Sequence, residues 1–188
     1  MCSNKKYSAE EQNILLTLAR TAIEHGLAMQ QELTLDLFSY SEKLRQVRAS
    51  FVTLQLDNDL RGCIGSLEAT RPLVSDINHN AYAAAFRDPR FSPLSQQAFK
   101  NIELSISILT PSEPMVFASE DDLLSQIQTG IDGLILSDGH HQATFLPSVW
   151  QTLPDKKDFL NHLKQKAGLK KDHWSANISI TRYNTFSF

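Results

Sequence analysis

Between residues 102 and 108 apolar and polar side chains alternate without a break. Ile102, Leu104, Ile106 and Ile108 fall on one side, and Glu103, Ser105 and Ser107 on the other. A period of two predicts a strand with one face on a core and one toward water. The same alternation over 51–56, turn chemistry at Asp57-Asn58-Asp59 and a return over 60–67 predict a hairpin. Elsewhere the period is helical. Ile14, Leu15, Leu18, Ala19, Ala22 and Ile23 share one face behind a Ser8/Glu11 capping-box pair, with Gly26 as the expected stop. Residues 27–48 are less regular and allow a short helix over 41–48. After Arg71-Pro72, the positions Leu73, Ile77, Ala81 and Ala84 predict a helix up to Phe86, which the prolines of Asp88-Pro89-Arg90-Phe91-Ser92-Pro93 end.

Pro111 and Pro114 mark the expected boundary between lobes. Beyond it, Ser119 opens a helix with an acidic first turn (Glu120, Asp121, Asp122) and Leu123, Leu124 and Ile127 inside, up to Gly130. Asp138-Gly139 predicts a second hairpin, between strands at 133–137 and 141–146. Pro147 begins a short helical turn. Asp155 caps a helix that buries Phe159, Leu160 and Leu163 and ends at Gly168, and 178–183 forms a last strand. Both halves, 51–109 and 133–183, therefore follow one order: strand, turn, strand, proline-led helical segment, strand. The pattern predicts an α+β fold of two lobes, antiparallel sheets with flanking helices, built by duplication of a strand-strand-helix-strand unit. Residues 1–188 are expected to form one domain, with sub-lobes at 49–111 and at 1–48 plus 112–188 and a ligand groove between them.

Composition narrows the picture. A hydrophobic share of 41% and a charged share of 21% over 188 residues suit a folded globular chain. The net charge of −3, with 18 basic residues scattered along the chain, gives nucleic acid no electrostatic footprint. The two cysteines, Cys2 and Cys63, are too few for a disulfide framework, and neither a secretory segment nor a run of membrane-spanning length is read, so the expected location is the cytoplasm. The six histidines show no HExxH, HxxEH or CxxC spacing, and GxGxxG and GxxxxGK[ST] are missing. No metal and no cofactor is implied.

Chemistry concentrates in Leu60-Arg61-Gly62-Cys63-Ile64-Gly65. Strand parity puts Arg61, Cys63 and Gly65 on one face and Leu60, Gly62 and Ile64 on the other, which as the apolar set should take the core. A guanidinium beside a thiol favours the thiolate, making Cys63 a candidate nucleophile; the competing reading is a small buried hydrophobe. Gly62 and Gly65 mark a close approach by a ligand, or equally by a neighbouring helix. Asp88 and Arg90 are either an ion pair that stiffens a turn or part of an anion site with Arg61. Glu103 is either on a solvated strand face or a proton acceptor opposite Cys63. No catalytic constellation is complete, so the ligand-binding set is Arg61, Gly62, Gly65, Asp88 and Arg90, with Cys63 and Glu103 as catalytic candidates.

These residues resemble the AMMECR-type domain family, known in prokaryotes as AmmeMemoRadiSam system protein A. The likeness rests on Phe51-Val52-Thr53-Leu54 followed by the hexapeptide, then on the helix at 81–85, Asp88-Pro89-Arg90-Phe91-Ser92-Pro93-Leu94, the strand at 103–107, Leu146-Pro147 and Lys166-Ala167-Gly168-Leu169. Asp132-Gly133-Leu134 stands where the family usually shows His-Gly-Leu, and Trp150 where a small residue is common. The resemblance implies a two-lobed α+β fold with the hexapeptide near the groove, and an association with Memo-type and radical S-adenosylmethionine proteins. It implies no established activity.

Overall fold

The segments with a period of two form two antiparallel sheets, each completed to four strands by one short strand, and the helical segments pack beside them. In a computed structural model that describes residues 7–188, the chain runs through α1 (Ala9–Met29), β1 (Ser50–Leu56), β2 (Asp59–Gly65), α2 (Leu73–Phe86), α3 (Gln96–Phe99), β3 (Glu103–Leu109), β4 (Glu113–Pro114), α4 (Glu120–Gln126), β5 (Gly133–Asp138), β6 (His141–Phe145), α5 (Lys156–Lys166), β7 (Ser179–Tyr183) and β8 (Thr185–Ser187). Cys2 lies outside the described residues. The sheet orders are β2-β1-β3-β8 and β4-β7-β5-β6. In each, the first strand of the hairpin is flanked by its hairpin partner and by the strand that follows the helix. The strand-strand-helix-strand order therefore recurs, as its sequence pattern indicates. The chain divides into one unit of Met1–Leu109 with Phe186–Phe188 and a second of Thr110–Thr185.

In the first unit, Val52, Leu54, Ile106 and Ile108 of the sheet meet Leu73, Ile77, Ala81 and Ala84 of α2, and Leu15, Leu18, Ala22 and Ile23 of α1 join the same core. Each large aliphatic side chain fully buried there contributes roughly 1.5–3 kcal/mol. This packing corrects the expected grouping of 1–48 with the second lobe, because the apolar stripe of α1 is covered by α2 and the sheet of the first unit. Both halves of the capping box form: Ser8 N–H donates to Glu11 Oε2 at 2.7 Å and Glu11 N–H to Ser8 Oγ at 3.2 Å. The helix does not stop at Gly26. It runs on to Gln30, which takes the left-handed conformation with φ 55°. Gly26 serves closeness instead, since a Cβ there would lie 2.4 Å from Phe86 Cε2 and 2.8 Å from Tyr82 Cδ2 on α2. The short helix expected over 41–48 reduces to one 3-10 turn at Lys43–Arg45, because Leu73 N–H donates to Gln46 O and Val47 bridges Pro72, drawing the chain out. Asp57 and Asn58 both have positive φ, the two-residue turn whose twist suits a hairpin.

In the second unit, Leu134 and Leu136 of β5 and Ile180 of β7 pack on Phe159, Leu160 and Leu163 of α5. Trp150, in the 3-10 turn Pro147–Gln151, stacks on Phe159 at a centroid distance of 3.7 Å. The expected caps are present: Ser119 Oγ accepts from Asp122 N–H at 3.2 Å, and Asp155 Oδ1 accepts from the N–H groups of Lys157 and Asp158, each at 2.9 Å. Among the described residues no helix is long and apolar enough to cross a membrane.

Candidate functional site

β2 is an edge strand, so the N–H and C=O of Cys63 point away from β1 and need partners outside the ladder. The loop after α2 supplies both. Asp88 Oδ2 accepts from Cys63 N–H at 2.9 Å, and Arg90 Nη2 donates to Cys63 O at 3.1 Å. Arg90 also grips Asp88, with Nε to Oδ1 at 2.9 Å and Nη2 to Oδ2 at 2.7 Å, while its own N–H reaches Oδ1 at 3.1 Å. The Asp88 side chain is 2% exposed. The Arg90 guanidinium hydrogen-bonded to it holds its carboxyl well below the usual carboxylate range, and the same contact raises the pKa of Arg90. Asp88-Pro89-Arg90 is thus a clamp on the backbone of Cys63.

Arg61 departs from simple strand parity. Leu54 pairs with Gly62 but Gln55 with Leu60, so Arg61 is the extra residue of a β-bulge. The bulge also turns Leu60 out of the core to 43% exposure, a correction to the expected apolar face, whereas Gly62 and Ile64 do face inward. Arg61 Nη2 donates to Ser92 O at 2.7 Å, and its guanidinium lies 5.7 Å from the centre of the Phe91 ring. The Arg90 guanidinium lies 5.4 Å from the centre of that ring, so one aromatic ring gathers both cations. Arg61 Nη1 is buried with no hydrogen-bond partner among the described residues.

The Cys63 side chain is half-buried, and its Sγ accepts from Thr53 Oγ1 at 3.3 Å. Thr53 pairs with Cys63 on one side and Ser105 on the other, a polar row across three strands. Glu103 does not join it. It is exposed and pairs with Gln55, which places it two strands and two residues away from Cys63, roughly 12 Å by strand geometry. Direct proton transfer between the two is therefore not available. Neighbours within the unit account for both glycines: a Cβ on Gly62 would lie 2.2 Å from Ala84 O, and one on Gly65 would lie 2.2 Å from the Phe51 ring. No group of three or more His, Cys, Asp or Glu side chains among the described residues is arranged to hold a metal ion.

Sequence reasoning missed a buried polar knot beside the hexapeptide. Asp76, fully buried, accepts from Ser50 N–H at 2.8 Å, Ser50 Oγ at 2.7 Å, Ser66 Oγ at 2.7 Å and Asn80 Nδ2 at 2.9 Å. It pins the first turn of α2 to the open ends of the hairpin. The signal was present, since Asp76 and Asn80 stand one turn apart, each directly before a residue of the apolar stripe, Ile77 and Ala81. The two departures at Asp132 and Trp150 also meet: Trp150 Nε1 donates to Asp132 O at 2.7 Å, while Asp132 Oδ2 accepts from Gln128 N–H at 2.8 Å. Asp132 is 3% exposed and closes the turn after α4.

A family model described as AMMECR1 matches residues 16–188. A protein of Methanothermobacter thermautotrophicus is 39% identical over 170 residues, covering 88% of this chain and 86% of that one. One of Methanocaldococcus jannaschii is 35% identical over 187 residues, covering 95% and 90%. The crystal structure of an uncharacterised protein from Pyrococcus horikoshii superposes with a TM-score of 0.88 at 31% identity, over 96% of this chain and 91% of that one.

Proposed function

This chain belongs to the AMMECR1 family, and we propose that it is a cytoplasmic binding protein that holds a small anionic ligand at Arg61. The observation that carries the reading is the state of that guanidinium. Arg90 is neutralised by Asp88, whereas Arg61 has a backbone carbonyl on Nη2 and, among the described residues, no carboxylate and no partner for its buried Nη1. A buried donor left unpaired is costly, and a planar guanidinium fork with one nitrogen unsatisfied suits a carboxylate or phosphate oxygen once the site admits one. Calorimetric titration with inorganic phosphate and with succinate tests this. Binding that Arg61→Ala abolishes and Arg61→Lys weakens supports the reading; equal binding by wild type and Arg61→Ala overturns it. The thiol of Cys63, in the same strand, would then stand near the ligand. If it acts as a nucleophile, iodoacetamide should label it faster than an unfolded thiol at neutral pH, with Cys63→Ser as the control.

A second reading, a non-catalytic accessory to a Memo-type or radical S-adenosylmethionine protein, draws support from the clamp. Asp88 and Arg90 are engaged in holding β2, and Glu103 is remote from Cys63, which leaves no complete catalytic set among the described residues. Mixing the purified chain with each candidate partner and measuring the mass of the complex tests it. Co-elution that survives Arg61→Ala favours docking over ligand capture.

A further inference from the structure

The second unit contains a cleft of about 600 Å³, open to solvent and bounded by the start of α4, one face of α5 and the segment 171–174. That volume is in the range of small-molecule sites. Three of its lining residues, Glu120, Lys171 and Trp174, meet at a lysine with no exposure. Lys164 Nζ donates to Glu120 Oε1 at 2.9 Å and to Lys171 O at 3.1 Å, and lies 5.4 Å from the centre of the Trp174 ring. A buried ammonium is tolerated only when its charge and N–H groups are matched. Here the matching groups come from α4 and from the segment that follows α5, so a single buried charge fixes the spacing of the walls. The far wall is braced again behind the cleft: His173 Nε2 lies 2.6 Å from Asp138 Oδ2, and Phe117 packs on Trp174 at 5.7 Å.

The lining carries both signs of charge and an apolar surface. Asp121 and Asp172 bring carboxylates and Lys157 and Lys171 bring ammonium groups, none in an ion pair among the described residues; Leu124 and the Trp174 indole are the apolar part. A plain anion would meet Asp121, Asp172 and Glu120 together with the lysines, and a plain cation would meet the lysines together with the acids. A ligand bearing both charges uses both sets. We propose that this cleft binds a small zwitterion with an apolar body, an α-amino acid with a hydrophobic side chain, whose carboxylate pairs with Lys157 or Lys171, whose ammonium pairs with the acidic side chains, and whose side chain lies on Trp174.

The two tryptophans make the test internally controlled. The Trp174 indole belongs to the cleft, while the Trp150 indole N–H is buried on Asp132 O and reports the fold. In ¹H–¹⁵N spectra of the full chain, L-phenylalanine at neutral pH should move the Trp174 indole signal saturably and leave that of Trp150 in place. N-acetyl-L-phenylalanine, which lacks the ammonium, and L-phenylalaninamide, which lacks the carboxylate, should each bind about tenfold more weakly or worse. The exposed pair Lys157→Ala/Lys171→Ala should remove the effect with the Trp150 signal unchanged. Three results overturn the proposal: no saturable shift up to about 10 mM, well beyond a millimolar dissociation constant; blocked forms that bind as well as L-phenylalanine; or adenosine monophosphate binding more tightly than L-phenylalanine, which would mark a site for anions.

Discussion

Asp88 shows how one side chain can serve an edge strand. It takes the N–H of Cys63 while Arg90 supplies the opposite group to the carbonyl of the same residue. Removing the carboxylate leaves a backbone donor and a guanidinium without their partner, so Asp88→Ala should lower stability by about 2–3 kcal/mol, read from urea unfolding. The pH dependence follows from the same contact. The folded pKa of Asp88 lies below its unfolded value of about 3.9. Its stabilisation is therefore complete above that value and fades as pH falls through the lower, folded one. The difference in Tm between wild type and Asp88→Asn should be constant from pH 7 to about 5 and shrink below about 4. A difference that stays flat to pH 2.5 would show that the carboxylate is not the group that matters. The residue types of this clamp were legible, as a charged pair around a proline after the α2 helix. Its target was not, because a backbone N–H looks alike at every position and only the sheet order reveals which one lacks a partner.

At the scale of elements, period and caps located most strands and helices, and the misses have physical causes. Gly26 looked like a stop because glycine ends helices, but within a helix it also lets another helix come near, and sequence alone does not separate the two. The bulge at Arg61 has no compositional mark, so parity placed Leu60 inside when it is out. Gly62 carries the sharpest prediction. Its missing side chain lets the backbone of β2 lie against Ala84 O of α2, and Gly62→Ala would set a methyl 2.2 Å from that oxygen. Since backbone cannot swing aside as a flexible side chain does, the two elements must separate, at a cost of about 2–3 kcal/mol in urea unfolding. Gly65→Ala meets Phe51 Cγ at 2.2 Å instead, an atom that ring rotation leaves in place, so it should also destabilise in the same measurement.

Across the whole molecule, the repeated strand-strand-helix-strand order was legible because each unit announces itself with a hairpin and a helix. The grouping of 1–48 was not, since an amphipathic stripe shows that α1 needs cover without saying which surface supplies it. Nor was β8, three residues long and too short to display a period. Yet β8 completes the first sheet: Ile106 N–H donates to Phe188 O at 2.9 Å and Phe188 N–H returns to Ile106 O at 3.1 Å. A chain ending at residue 184 should therefore lose protection of the Ile106 amide in hydrogen exchange, while Leu136, paired with Ile180 inside the second sheet, should keep its own. This arrangement also orders events at the ribosome. The strands β1, β2 and β3 are synthesised first, but their sheet stays one strand short until all of the second unit has been translated and residues 186–188 have cleared the exit tunnel. During that interval the edge of β3 that β8 will cover is unpaired and open to pairing with another strand.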